Sequence, residues 1–154
     1  MILLRNFITK ENVLLGFSTV SQSEALKSLM QPMIDSGVVT DGDLFLSDLL
    51  DRENKMTTVM ENGVAFPHAR SNAIKKMAVT VGILPEPGIE FSLEQDVMSR
   101  IFFLIGVPSY APTVHLPLLS LLAKFANQKI NREKLLTVKT CGTASKILSN
   151  YKGG

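Results

Sequence analysis

A single cysteine, Cys141, rules out an internal disulfide, and a chain without disulfides suits a reducing compartment. As a lone thiol, Cys141 is read as a small packed residue. No apolar run approaches the ~20 residues that a membrane-spanning helix needs. The apolar opening, residues 1–7, is broken by Arg5 and followed by Lys10 and Glu11, so it lacks the apolar centre of a signal peptide. These absences predict a soluble, cytoplasmic protein with no membrane insertion. An excess of one charge sign is missing too. Sixteen Lys and Arg stand against fourteen Asp and Glu, a net charge of +2; that provides no broad basic face and argues against nucleic acid as a partner. Repeats, linkers and low-complexity tracts are absent. The 154 residues fit one domain, with the tail 152–154 expected to fray. With 45% apolar residues, the chain can fill one core of ordinary size.

What is present alternates between strand-like and helix-like stretches. Ile8 to Phe17 supplies one or two short strands. Ser21 with Glu24 has capping-box spacing, and Ala25, Leu26, Leu29, Met30, Met33 and Ile34 recur at helical intervals. Pro32 is expected to bend or interrupt that helix and Gly37 to end it. Thr40 or Asp41 opens a second helix, with Leu44, Phe45, Leu49 and Leu50 on its buried side and its end near Arg52. Met56–Val59 and Val64–Phe66 read as a hairpin turned by Glu61-Asn62-Gly63. Met77–Leu84 is a β-branched strand, Gly88–Leu93 an edge-strand candidate, and Arg100–Val107 a nearly continuous apolar run that fits a strand buried on both faces. A long helix follows the break Pro108–Pro112. Placing its N-cap at Thr113 puts His115 at the second helical position and Pro117 at the fourth, where a proline breaks no helical bond. Arg132–Val138 and Thr143–Tyr151 close the chain as two helices. The pattern predicts an α/β layered domain with a mixed sheet; strand order stays open.

The chemistry centres on Gly63-Val64-Ala65-Phe66-Pro67-His68-Ala69-Arg70. Pro67 lacks an N–H and pushes Phe66 into an extended conformation, so His68 is expected just past a rigid strand end. Imidazole is the side chain that serves as a neutral nucleophile near pH 7. The chain has one other histidine, His115, early in a helix where the macrodipole favours a neutral ring and the N–H groups favour an anion. Arg52 brings a planar guanidinium suited to the same anion. Two imidazoles, an arginine and a helix N-terminus fit a phosphohistidine site. On these residues alone, His115 as a packed first-turn histidine and Arg52 as a solvated helix-end cation stay open. No acidic or thiol ligand lies at helical spacing from either histidine, so no metal is expected, and no Gly-x-Ser-x-Gly elbow marks a serine hydrolase.

Asp51-Arg52-Glu53, then Thr57-Thr58, then Asn62–Arg70 together resemble the signature of the fructose/mannitol-type (type 2) IIA components of the phosphoenolpyruvate:sugar phosphotransferase system. Val107-Pro108 followed by His115-Leu116-Pro117 is similar to a second landmark of that family. The resemblance spans roughly residues 8–150. It implies an α/β sandwich around a mixed sheet, flanked by helices. It implies that His68 accepts phosphate from an HPr-type phosphocarrier protein, and that His115 and Arg52 complete the site, with no metal or dissociable cofactor. The phosphate would go to a IIB component, or act as a switch governing regulated partner proteins as in the nitrogen-regulatory IIA branch. The lone IIA domain and Gly88-Ile89-Glu90-Phe91 lean towards the regulatory branch; a sugar-specific permease subunit and a non-phosphorylated binding module are the alternatives. One departure stands out: the family's Thr-Gly-x-Gly-x-Gly turn is Thr58-Val59-Met60-Glu61-Asn62-Gly63 here. Val59 resists positive φ, and Glu61 is expected to bring negative charge near the phosphate. Met60 is a candidate for an exposed docking rim, with Phe66 turned into the core.

Overall fold

Ser21 starts the first helix as its spacing predicts: its Oγ accepts the Glu24 N–H at 3.2 Å, and α1 runs Gln22–Asp35. The computed structural model of the chain describes residues 2–17 and 19–153; of the expected frayed tail, Gly154 lies outside the described residues. α1 continues through Pro32 without a break. The carbonyl that the missing N–H leaves unbonded belongs to half-exposed Ser28. Asp41 caps α2, Gly42–Lys55, by accepting the Leu44 N–H at 3.1 Å. That helix extends three residues past the expected end at Arg52, which moves Arg52 into its last turn.

The strands are β1 Val13–Leu15, β2 His68–Ser71, β3 Ala78–Ile83 and β4 Ile101–Pro108. They form one mixed sheet in the order β1-β3-β4-β2. β1 lies parallel to β3, β3 antiparallel to β4, and β4 parallel to β2. β4 explains itself: all eight of its residues are buried. Ile101, Phe103, Ile105 and Val107 point to one side, Phe102 and Leu104 to the other, the alternation that a strand imposes. The first side packs under α3 (Leu116–Asn127), α4 (Lys129–Leu136) and α5 (Cys141–Ser149), the second under α1 and α2. The result is the helix-flanked α/β sandwich that the sequence predicts. Ile34 and Leu44, both expected inward, are each 38% exposed. No helix among the described residues is long and apolar enough to cross a membrane.

Two expected strands are reduced to isolated bridges. Met56–Val59 and Val64–Phe66 meet only at Val59 and Ala65, and Gly88–Leu93 pairs only through Ile89 and Ser99. Side-chain ties add to the first of these: Thr57 and Thr58 bond Glu53, while the Thr58 carbonyl still accepts the Phe66 N–H at 3.3 Å. The glycine departures are absorbed without strain. Gly63 has φ +87 and its N–H donates to the Met60 carbonyl at 2.9 Å, whereas no described non-glycine residue has positive φ. Val59 and Glu61 therefore occupy positions with ordinary backbone geometry.

Candidate functional site

Residues 65–67 lie along β4 and deliver His68 to it. The Ile101 carbonyl accepts the Ala65 N–H at 3.0 Å, the Ala65 carbonyl accepts the Phe103 N–H at 2.9 Å, and the Pro67 carbonyl accepts the Ile105 N–H at 2.9 Å. Proline suits this place because β2 is an edge strand and loses little by lacking one donor. Phe66 turns inward, as expected, and stacks on Phe103 with ring centroids 5.5 Å apart. His68 is thus the first residue of β2, not a residue beyond a strand end. It takes register opposite Ile105, and alternation puts His68 and Arg70 on one side, with Ala69 and Ser71 buried on the other.

The loop after β4 brings in the second imidazole. Val114 N–H donates to Ala111 and Leu116 N–H to Thr113, at 3.3 and 3.2 Å. These turns hold Thr113 outside the helix, so His115 itself is the N-cap and Pro117 the second helical residue. His115 is 8% exposed and its Nδ1 is buried without a partner. The two imidazole centroids lie 5.6 Å apart at an interplanar angle of 37°, although the residues are 47 positions apart in the chain.

α2 closes the third side. Asp48, Asp51, Arg52 and Lys55 follow helical i, i+3, i+4, i+7 spacing and face the same cleft as His68, Arg70, Thr113, His115 and Leu116. Its volume is about 440 Å³. The structure therefore brings together all three site residues expected from the sequence. It adds the acidic pair on α2, Lys55 and Arg70; the α2 spacing was readable as one charged helical face. Arg52 Nη1 donates to the Met56 carbonyl at 2.7 Å, which anchors the guanidinium across the helix end. Its neighbour Glu53 is buried and accepts from Thr58 N–H at 2.7 Å, Thr58 Oγ1 at 2.7 Å and Thr57 Oγ1 at 3.0 Å. Glu53→Ala strands those donors. It is expected to lower stability by about 1–3 kcal/mol in urea unfolding; an unchanged midpoint would show that the clamp contributes nothing.

Two expectations for the rim are corrected. Met60 packs half-buried against the apolar layer under α3 and does not line the cleft. Glu61 sits in the turn that Asn62 ties to the Ala126 carbonyl at 3.2 Å. That is the opposite end of α3 from His115, roughly 16 Å away at 1.5 Å per residue, so its charge is remote from the imidazoles.

Tautomer and charge follow from contacts. His68 Nδ1–H donates to the Phe66 carbonyl at 2.7 Å, which leaves Nε2 bare, with its lone pair available. Burial pushes the His68 pKa down and outweighs the bond to Phe66, which raises it; Arg52 lowers it further and Glu53 raises it. Burial also lowers His115, assisted by the charges of His68 and Arg70. Both rings therefore stay neutral below the usual imidazole value of about 6.5. Both folded pKa values lie below their unfolded ones, so the unfolded chain binds more protons in that interval. The resulting penalty is absent above about pH 6.5 and grows as pH falls through the folded values. Thermal stability is expected to drop on acidification below about pH 6.5, and less so in His68→Gln; a flat profile from pH 7 to 5 would contradict the burial argument.

Among the described residues, no group of three or more His, Cys, Asp or Glu side chains is placed to hold a metal ion. Residues 6–151 match the family model of the phosphoenolpyruvate-dependent sugar phosphotransferase system, EIIA 2. The chain is 34% identical over 125 residues to the fructose-specific EIIA component of Haloferax volcanii, covering 81% of this chain and 80% of that one. It is 29% identical over 136 residues to the mannitol-specific enzyme IIA component of Bacillus subtilis, covering 86% and 90%. Among solved structures, nitrogen regulatory protein IIA-Ntr of Neisseria meningitidis superposes with a TM-score of 0.78 at 21% identity, covering 94% of this chain and 98% of that one. IIA mannitol of Escherichia coli gives 0.77 at 22%, covering 92% and 98%. A fold shared with both, a family model spanning nearly every residue and a cleft that gathers the signature side chains agree: the chain belongs to the type 2 EIIA family of the phosphoenolpyruvate-dependent sugar phosphotransferase system.

Proposed function

We propose that the chain is a phosphohistidine carrier: His68 takes a phosphoryl group from an HPr-type phosphocarrier protein in the cytoplasm and passes it to a IIB component. The observation that carries this reading is the bond from His68 Nδ1–H to the Phe66 carbonyl at 2.7 Å. It fixes the tautomer with a bare Nε2 in a cleft shared with a second imidazole and a guanidinium. Nε2 attacks phosphorus in line as the donor's N–P bond breaks, and the electron pair returns to the donor ring. With the donor's other ring nitrogen protonated, a neutral imidazole leaves and no proton has to move. Catalysis is then positioning and charge stabilisation.

His115 takes the complementary role. Its Nδ1 is buried and unpartnered, and orphaned buried N–H groups are costly. The proton therefore belongs on Nε2, which serves as a donor to a phosphoryl oxygen. Arg52, held by the Met56 carbonyl, adds positive charge on the His68 side. Leu116 at the lip, 52% exposed, and Val114, 43% exposed, supply the apolar rim of a transient docking surface. Escherichia coli IIA mannitol, of the same fold, has been solved in complex with phosphorylated IIB mannitol. The relatives matched by sequence carry sugar-specific names, which supports a IIB acceptor over a regulatory partner; fold likeness is equal for both branches, 0.78 and 0.77. The test is incubation with phosphoenolpyruvate, enzyme I and HPr. An acid-labile, base-stable mass gain of one phosphate is expected, and its absence beside a working control IIA rejects the carrier.

A further inference from the structure

Two guanidinium groups reach the cleft, and only one is engaged. Arg52 spends a donor on the Met56 carbonyl. Besides Arg52, guanidinium hydrogen bonds among the described residues are made by Arg100 and Arg132, not by Arg70. Neither ion pair among the described residues includes Arg70. It stands exposed on β2, two residues beyond His68 on the same side of the strand, roughly 7 Å along it. A strand residue this close to a nucleophile, with all five donors unspent, is placed to bind what the nucleophile receives. The charge balance points the same way. Arg52 and Lys55 line the cleft beside Asp48 and Asp51 on the same face of α2, and Arg70 joins them from β2. Arg70 is the cation that leaves a net positive charge there; without it two cations meet two carboxylates, and a dianionic phosphoryl group gains nothing from the sum.

The structure assigns Arg70 as the second guanidinium of the phosphoryl-binding cleft, gripping the phosphoryl oxygens alongside Arg52. Arg70 forms no covalent bond and gives up no proton. Its paired N–H groups follow the charge that develops on the three oxygens as the N–P bond is exchanged. The assignment rests on the carrier reading for the identity of the anion, and its test keeps the two apart.

Wild type, Arg70→Gln and Arg70→Lys are compared with two probes that lack any docking surface: inorganic phosphate, titrated against the histidine ring resonances, and phosphoramidate, a small phosphoryl donor. Arg70→Gln is expected to bind phosphate about 10-fold more weakly and to react with phosphoramidate about 10²-fold more slowly. Arg70→Lys should recover part of the binding without the bidentate grip. Thermal melting should be unchanged, since the side chain is exposed and unpaired. Wild-type behaviour of Arg70→Gln with both probes overturns the assignment. So does slowing seen only with a protein donor, which makes Arg70 a docking contact. Arg70-dependent phosphate binding in a protein that no donor phosphorylates supports the grip and removes the carrier reading instead.

Discussion

His68→Ala is expected to take up no phosphate from a phosphorylated HPr-type donor, whereas His115→Ala should still be phosphorylated, about 10²-fold more slowly. The asymmetry follows from the two rings' nitrogens. His68 is held by the Phe66 carbonyl with Nε2 free, so its removal takes away the atom that bonds to phosphorus. His115 lines the cleft with its Nδ1 buried and unbonded, so on the proposed scheme its removal takes away one stabilising donor and leaves the acceptor in place. Intact-mass measurement after quenching in base, where a phosphohistidine survives, reads both variants. The scheme is wrong if the His68 variant keeps the mass gain, or if the two variants lose it equally. The first result would separate the nucleophile from the residue that the strand geometry selects; the second would make His115 as indispensable as His68.

Phe103→Ala is expected to give the largest loss of stability. The ring is fully buried at the centre of β4 and packs beneath the α3–α5 layer. Large-to-small changes at such sites cost about 3–5 kcal/mol, because the cavity closes only in part. For a domain of this size that is on the order of 10 °C in melting temperature. The substitution also deprives Phe66 of its stacking partner, and Phe66 carries the carbonyl that orients His68. Phosphoryl acceptance should therefore fall in the folded fraction as well. A melting temperature within a degree or two of wild type would mean that the core at β4 is not packed as described; normal acceptance kinetics would uncouple Phe66 from the site.

Long-range pairing set the limit of what the sequence revealed. Arg100–Val107 reads as a doubly buried strand because seven apolar or small residues, Ile101–Val107, run together, and β4, Ile101–Pro108, is buried throughout. β2 was missed because two of its four residues, His68 and Arg70, are polar and face a cleft. What makes it a strand is β4 alongside, a partner more than 30 residues away. The start of α3 was misplaced for a local reason. Thr113 is a good cap by type, but its carbonyl is already used by the Leu116 N–H, so the turn ends the contest and His115 becomes the cap. The three site residues were legible through motif and residue chemistry together. Arg70 lies within the same motif, yet only the alternation of β2 shows which way it points. Val59 and Glu61 had looked like damaged glycines; ordinary backbone geometry at both removes the physical reason for a disabled site.

The bond between His68 and Phe66 joins residues two apart in one extended segment, and that segment is bolted to β4 on both sides of Pro67. The Nε2 lone pair, the receiving orbital of the proposed scheme, is consequently aimed when the chain folds, before any visitor arrives. Encounter partners of different shape then meet an acceptor of invariant direction, and each has only its own phosphorus to bring into line. The proposed carrier, dealing with one protein upstream and another downstream, would gain most from such a fixed aim.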